Sequence, residues 1–139
     1  MFKNILLGVD GSEHALRAAA VAGSLARIMQ ADLRVVAAYD PVPAYLGEPN
    51  LQKVITARMQ NADMILKNAL QTIGELTGEM QTEILEGPAA EAILAVAKTR
   101  LNDLIIVGSR GRGQLTGLLL GSQSQKLIQH APCPVLVVR

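Results

Sequence analysis

The sequence predicts an α/β fold in which a parallel β-sheet carries helices on both faces. Short apolar segments alternate with longer segments of helical periodicity in the order βαβαβαβαβ, and strands that alternate with helices form parallel sheets. A chain of 139 residues suits one domain, here 1–139, and its hydrophobic content of 50% is enough for a core. Aromatic residues make up only 2% of the chain, so that core must consist of aliphatic side chains.

The expected strands are short and apolar, and helical segments separate them. We expect strands at 3–9, 33–39, 80–86, 103–107 and 135–138. We expect helices at 13–30, 51–76 and 88–100, and from a glycine-rich turn to about residue 130. Segment 80–86 alternates in polarity, which predicts a half-exposed strand near a sheet edge. Segment 103–107 is apolar on both faces, which is typical of a central strand.

Turn and capping residues mark where these elements meet. Ser12 is expected to cap the first helix through its hydroxyl. Segment 40–50 holds three prolines and a glycine and is therefore expected to be a loop. Thr77 and Gly78 are expected to end the second helix, and Pro88 suits the first position of the third.

Composition argues against several classes of function. The formal net charge is +1 and aromatic residues are scarce, so the chain lacks the basic field and the stacking rings of a nucleic-acid-binding protein. The single cysteine, Cys133, cannot form an internal disulfide, which favours a reducing compartment, and we expect it to be a small buried hydrophobe. No window approaches the ~20 apolar residues of a membrane span, so we expect a cytoplasmic protein without a membrane partner.

The segment with the clearest chemistry is the glycine-rich turn from Gly108 to Ser122. It follows an expected strand and precedes an expected helix, which is where open α/β sheets bind ligands. Glycines let the backbone approach an oxygen closely, and successive amide groups form an anion-binding nest. The next helix would begin at Gly121, where free N–H groups favour phosphate, and the hydroxyls of Ser122 and Ser124 add donors.

Two common nucleotide-binding motifs do not fit this turn. A Walker A loop needs Gly-Lys-Ser/Thr, and the chain contains no such tripeptide. A Rossmann fingerprint needs G-x-G-x-x-G after the first strand, whereas the spacing here is G-x-x-G-x-G after the fourth. Neither a P-loop NTPase nor an NAD enzyme is indicated, and a glycine-rich turn taken alone is also compatible with a purely structural role.

The spacing of the turn resembles that of the universal stress protein family. Gly108-x2-Gly111-x9-Gly121-Ser122 matches the G-2x-G-9x-G-Ser/Thr signature of the ATP-binding members. Three further stretches resemble the first strand and turn of the family, its fourth strand and loop, and its last strand: 3–12, 103–111 and 132–138. Over the full length, the resemblance implies a five-stranded parallel sheet of the adenine nucleotide alpha hydrolase-like type, with strand order 3-2-1-4-5.

The resemblance also implies a nucleotide site that takes ATP with Mg²⁺ or Mn²⁺. Gly8 and Asp10 would lie beside the nucleotide, and Asp10 would hold the divalent cation or a ribose hydroxyl. Ala38 matches a position whose backbone meets adenine. Gln123 is polar where the family often has an apolar residue. The positions that would wrap the ribose and phosphates, or cradle the terminal phosphates, are Gly108, Ser109, Arg110, Gly111, Arg112, Gly113, Gln114, Gly121, Ser122 and Gln123.

Several residues near this site have a structural interpretation as well. Asp10 can end the first strand by bonding the turn that follows it. Arg110 and Arg112 can pair with phosphate or remain solvated in a loop. His14 lies one turn beyond Asp10, and the sequence favours a surface position for it over an approach to the site. No Ser-His-Asp set, metal cluster or paired carboxylates emerge, and nothing marks a general base.

These features favour an ATP-binding regulator of the stress response that acts as a dimer, with at most weak ATP hydrolysis. The last strand, Val135–Val138, would be an apolar sheet edge, and the family commonly dimerises through this strand. Two alternatives stay open. One is an ATPase or nucleotidyl transferase that needs a partner to complete its site, and the other is an interaction module whose glycine-rich turn binds nothing.

Overall fold

The computed structural model describes residues 1–110 and 121–139, and these contain a five-stranded sheet of order β3-β2-β1-β4-β5. Every neighbouring pair of strands is parallel, so the expected fold class and strand order are confirmed. The strands are β1 (Asn4–Val9), β2 (Asp32–Tyr39), β3 (Met80–Glu86), β4 (Leu104–Gly108) and β5 (Val135–Val138). The helices are α1 (Glu13–Met29), α2 (Asn50–Ile73), α3 (Ala89–Arg100) and α4 (Ser122–His130).

The sheet buries aliphatic side chains on both faces because successive residues of a strand point to opposite sides. Leu7, Val35 and Ile106 belong to the cluster that α1 and α2 cover. Leu6 and Ile105 belong to the cluster that α3 and α4 cover. The α1 face of the first cluster consists of alanines, which let the helix lie close to the sheet: Ala15, Ala18, Ala19, Ala22 and Ala26.

The second helix ends earlier than the sequence predicts. It stops at Ile73, because Gly74 takes a left-handed φ of 75° and donates its N–H to the Leu70 carbonyl at 3.0 Å. The stop expected at residues 77–78 was therefore wrong by one turn. Gly78 has a different reason to be glycine, since a Cβ there would lie 2.5 Å from the Ala31 carbonyl oxygen. The loop at 40–50 also contains a short 3₁₀ turn, Ala44–Leu46.

The two edges of the sheet are β3 and β5, in agreement with the sequence-based expectation for both strands. Leu136 of β5 is 37% exposed, so part of the apolar edge faces solvent. Cys133 precedes this strand and is half-buried rather than fully buried, packed against the α3/α4 cluster. That burial, together with the charge of Asp103, raises the pKa of the Cys133 thiol. Among the described residues, none of the helices has the length and apolarity needed to cross a membrane.

The strand order creates a crevice between β1 and β4. These strands are hydrogen-bonded neighbours, yet α1 follows β1 on one face while α4 follows β4 on the other. The connections therefore leave their shared carboxyl edge in opposite directions. Such a switch point is where ligands bind in sheets of this kind.

Candidate functional site

A cavity of about 970 Å³ lies at the carboxyl edge of the sheet. The ends of β1, β2 and β4 form its floor, the turn after β3 forms one side, and the first half of α2 forms the opposite side. This volume is at the upper end of the range typical of small-molecule sites. The cavity therefore lies where the strand order predicts a ligand site.

Most of the described candidate residues from the sequence line this one cavity, although they come from four separate segments. The residues in question are Gly8, Asp10, Ala38, Gly108, Arg110, Gly121 and Gln123. Ser109 and Ser122 do not line it: Ser109 is 1% exposed behind the cavity surface, and Ser122 is exposed elsewhere. Gly111, Arg112, Gly113 and Gln114 lie outside the described residues.

Asp10 lies where β1 turns into α1. Its Oδ1 accepts a hydrogen bond of 2.9 Å from the Ser12 N–H, while Gly11 takes a φ of 85°. Ser12 then caps α1, accepting from the Ala15 N–H at 3.1 Å, as expected from the sequence. The structural interpretation of Asp10 is thus present, and the same residue also lines the cavity. One carboxylate both shapes the turn and borders the site.

Gly108 brings the end of β4 against the first turn of α1. A Cβ at this position would lie 2.8 Å from the carbonyl carbon and the Cβ of His14, and 2.9 Å from the Ala15 nitrogen. Real Cβ atoms do not tolerate such distances from backbone atoms. Glycine is required here by close approach between two pieces of main chain, which is a stronger constraint than turn formation.

Ser109 joins three elements behind the cavity. Its N–H donates to the Val138 carbonyl at 2.7 Å, and its own carbonyl accepts from the Gly121 N–H at 2.7 Å. One turn into α4, the Ser124 hydroxyl donates to the Gly108 carbonyl at 2.8 Å. The hydroxyl of Ser124, which the sequence offers as a phosphate donor, is therefore used to attach α4 to β4.

His14 corrects the sequence interpretation, which placed it on the surface of α1. It is half-buried, and its Nδ1 lies 2.9 Å from the Ser109 hydroxyl oxygen. Its Nε2 lies 3.2 Å from Nη2 of Arg110, which lines the cavity. The surface prediction failed because α1 begins directly against Gly108, so its first turn is covered by the end of β4.

The N-terminus of α4 faces the site at Gly121. Gly121 holds the N-cap position and, having no side chain, cannot itself cap the first N–H groups of the helix. Gln123 follows in the first turn, but its Oε1 accepts from the Ala90 N–H of α3 at 2.8 Å. This contact supplies α3 with a cap that Pro88 cannot provide. Gln123, the polar residue after Gly121-Ser122, thus links the N-terminus of α4 to that of α3 beside the cavity.

The α2 side of the cavity was not predicted from the sequence. Lys53, Ala57 and Asn61 follow one another at helical spacing and all line the cavity, with Arg58 next to them. Arg58 donates to the carbonyls of Asp40 and Pro41 at 2.6 and 2.8 Å, which holds the loop after β2 against the helix. The available signal was two polar residues eight positions apart on a helix that carries many other polar residues. That signal does not say which element they face.

We call these two sides the glycine wall (Gly8, Asp10, Gly108, Arg110 and Gly121) and the helix wall (Lys53, Ala57, Arg58 and Asn61). The glycine wall presents mainly main-chain groups, one carboxylate and one guanidinium. The residues of the helix wall carry an ammonium group, a guanidinium group, an amide and a small side chain. Between them, apolar side chains such as Val54 and Ile93 border the space. An apolar lining with a few charged and polar groups is typical of small-molecule sites.

Comparison with known proteins identifies the family. The model of the universal stress protein family matches residues 1–139. The chain belongs to the universal stress protein family. A universal stress protein of Thermus aquaticus, named for its position 3′ of a QAH/OAS sulfhydrylase, is 49% identical over 141 residues, and the match covers 100% of both chains.

Solved structures of the family share this fold. UspA from Lactobacillus plantarum superposes with a TM-score of 0.86 at 29% identity, covering 99% of this chain and 98% of that one. A universal stress protein in complex with cAMP superposes with a TM-score of 0.70 at 25% identity, covering 99% and 97%. The family resemblance noted in the sequence is thereby confirmed.

Proposed function

We propose that this universal stress protein binds an adenine nucleotide, ATP with Mg²⁺ or Mn²⁺, in the cavity between the glycine wall and the helix wall. The observation that carries the proposal is the convergence of Gly8, Asp10, Gly108 and Gly121 on one cavity at the β1/β4 switch point. The start of α4, where the N-cap residue Gly121 has no side chain, favours an anion there. The complex of a family member with cAMP supports adenine as the base.

The described residues fit a cation that arrives with the nucleotide. Asp10 offers carboxylate oxygens, which Mg²⁺ prefers, and Mg²⁺ commonly binds through one or two carboxylates together with substrate phosphates. Within 1–110 and 121–139, no group of three or more His, Cys, Asp or Glu side chains could hold a metal ion. The proposed role of Asp10 is therefore to share a phosphate-bound cation, which would neutralise phosphate charge.

The proposal assigns binding and regulation rather than rapid turnover. The chain has no Gly-Lys-Ser/Thr tripeptide, so the lysine that a P-loop places on the terminal phosphates is absent from that position. Ser109 is buried and its main chain bonds Val138 and Gly121, so it does not reach the cavity as a nucleophile. We propose that nucleotide occupancy changes the shape or partners of the protein in a stress response, with hydrolysis slow or absent.

Isothermal titration calorimetry with ATP, with and without Mg²⁺, tests the proposal, and GTP serves as the matched control for the base. We expect saturable ATP binding, weaker GTP binding, and an adenine nucleotide in the mass spectrum of the purified protein. No heat and no thermal shift up to millimolar ATP would refute it. A steady release of phosphate over many turnovers would instead support an enzyme.

We further propose a cytoplasmic homodimer that pairs through β5. The support is the apolar edge, where Leu136 is 37% exposed and no strand pairs with the outer side of β5 in the described residues. Sedimentation of the wild type and of Leu136→Lys tests this. We expect a dimer for the wild type and a monomer for the variant. A monomeric wild type at micromolar concentration would contradict the proposal.

A further inference from the structure

His14 joins the buried framework of the site to a charged group at its surface. Its ring lies between Ser109, which is 1% exposed, and Arg110, which lines the cavity. His14 itself is not among the cavity-lining residues. Arg110 is a cavity-lining residue whose side chain His14 contacts directly.

The two contacts define the tautomer of the ring. A guanidinium group can only donate hydrogen bonds, so the contact of 3.2 Å requires Nε2 of His14 to be the acceptor. A neutral imidazole with a bare Nε2 carries its proton on Nδ1. The Nδ1–H group then donates to the Ser109 hydroxyl oxygen across 2.9 Å. The arrangement thus specifies a neutral, Nδ1-protonated His14.

The supports on either side of this ring are rigid. The backbone of His14 is packed against Gly108 without room for a Cβ. Ser109 is held by main-chain bonds of 2.7 Å to both Val138 and Gly121. An arginine side chain has many rotamers, and binding a ligand costs less when its fork is already held in place.

We propose that His14 is a positioning residue that holds the Arg110 guanidinium at the cavity surface for the phosphate of the bound nucleotide. The inference rests on the proposed function, because it takes a phosphate as the partner of Arg110. The contact with His14 also distinguishes Arg110 from an ordinary solvated loop arginine, whose guanidinium would have no protein acceptor of this kind. A guanidinium held from behind retains free N–H groups for a phosphate in front.

Two substitutions of His14 separate its two contacts. In His14→Gln the side-chain amide reaches the position of Nε2 and can still accept from Arg110. In His14→Asn the shorter amide reaches the position of Nδ1, keeps the contact with Ser109 and loses the one with Arg110. The two variants differ by one methylene, so they form a matched pair for stability and for binding.

The binding readout is the ratio of the affinities for ATP and for adenosine, measured at pH 8 by calorimetry, with adenosine competing against ATP. We expect His14→Asn and Arg110→Ala each to lower this ratio about tenfold, equivalent to about 1.4 kcal/mol, and His14→Gln to keep most of it. Adenosine affinity should be nearly the same in all of them. In the Arg110→Ala background, His14→Asn should have no further effect, because both act through one group.

The ring protonation has a direct readout that needs no ligand. His14 and His130 are the only two histidines of the chain, and His130 is exposed at the end of α4. Long-range ¹H–¹⁵N spectra of histidine-labelled protein at pH 8 should show one ring protonated on Nδ1, and His14→Asn should remove that pattern. His130 provides the solvent-exposed reference within the same sample.

The outcomes distinguish this inference from the function on which it rests. A wild type that binds neither ATP nor adenosine would refute the proposed function and the phosphate role of His14 with it. A wild type that binds ATP while His14→Asn keeps the full ratio would overturn only the role of His14. Equal losses in the Gln and Asn variants, or an Nδ1 without a proton, would also overturn it.

Discussion

The two walls of the cavity are built on different physical principles. The glycine wall is made by close approach of main chain, most tightly at Gly108, where a Cβ would meet backbone atoms of α1 at 2.8 and 2.9 Å. The helix wall is made by side chains of α2 that project from a regular helix, with Ala57 between Lys53 and Asn61. The glycine wall has no room for an added atom at Gly108, whereas Lys53 and Asn61 of the helix wall can change without affecting the fold.

Because of this difference, we expect the main chain of the glycine wall to set the affinity for nucleotides in general, and the side chains of the helix wall to set which nucleotide is preferred. Main-chain N–H groups and a helix N-terminus recognise an anion regardless of which base it carries. Side chains of a helix wall can be exchanged to suit a base, a ribose or an extra phosphate. We therefore expect substitutions of the glycines in the glycine wall to affect stability and all ligands together. Substitutions of Lys53 and Asn61 in the helix wall should alter the binding of individual ligands, whereas Arg58 has a structural role.

The largest effect should come from Gly108→Ala. The added methyl group would collide with the backbone of α1, so we expect a loss of about 3 kcal/mol in the free energy of unfolding, measured by urea denaturation. Gly8→Ala is the matched control in the same wall, because its Cβ would be nearest to side-chain atoms, those of Ile93 and Val107, rather than to backbone. We expect that variant to lose about 1 kcal/mol. Equal losses would show that close backbone approach does not define the wall.

Arg58→Ala should have the next largest effect on stability. The substitution removes two charge-assisted hydrogen bonds to the carbonyls of Asp40 and Pro41, so we expect a loss of about 1.5 kcal/mol in the free energy of unfolding. Hydrogen exchange should increase in the loop at 40–50 more than in the strands. Arg17→Ala is a suitable control, because Arg17 makes an exposed hydrogen bond to the Arg139 carbonyl and an exposed ion pair with Glu13 at 3.9 Å. A change no larger than that of the control would show that Arg58 does not hold the helix wall together.

Lys53→Ala should change binding without changing stability. Lys53 lines the cavity, so removal of its ammonium group should weaken ATP binding about fivefold and adenosine binding little, as measured by calorimetry. Lys67→Ala on the same helix is the control, because Lys67 is exposed and pairs with Asp63 at 2.8 Å. Identical ATP affinities for the two variants would show that Lys53 does not contribute to ATP binding.

The smallest effect concerns the ion pair that links α3 to α4 beside the glycine wall. Lys126 lies 2.8 Å from Glu91 and lowers the pKa of that carboxyl below its usual value of 4.5. A carboxyl whose pKa is lowered on folding stabilises the protein above its unfolded pKa, and this stability is lost as the pH falls through the folded pKa. In Lys126→Ala, an NMR titration should show the pKa of Glu91 returning towards 4.5.

Stability gives a second readout of the same pair. Wild type and Lys126→Ala should differ slightly at pH 7 and converge at acidic pH, once Glu91 is protonated in both. Both side chains are about half exposed, so solvent screening keeps the difference small. A difference that grows as the pH falls would contradict the assigned sign.

Much of the glycine wall could be predicted from the sequence because its determinants are local. Gly108 and Gly121 are visible as glycines at a strand end and at a helix start, and Asp10, Gly11 and Ser12 form a recognisable turn and cap. The strand order was not available from periodicity and came from the family resemblance. The position of Ser109 behind the cavity was missed, since sequence spacing does not tell a lining residue from a supporting one.

The helix wall and His14 could not be predicted for a common reason. Helical periodicity gives the face of a residue relative to its own helix, but not what that face meets. Lys53 and Asn61 are ordinary polar residues until α2 is placed across the ends of β1 and β2. His14 is an ordinary surface histidine until Gly108 brings β4 against the first turn of α1.

The sequence by itself determined the alternation of strands and helices, the aliphatic core, the cap of α1 and the glycines that permit close backbone approach. These depend on interactions between residues near in sequence and on the amount of apolar surface. Only the tertiary structure decided that α2 closes the cavity, that Gln123 caps α3, and that His14 supports Arg110. Each of these is a contact between elements far apart in the chain, and its geometry exists only once the helices are packed on the sheet.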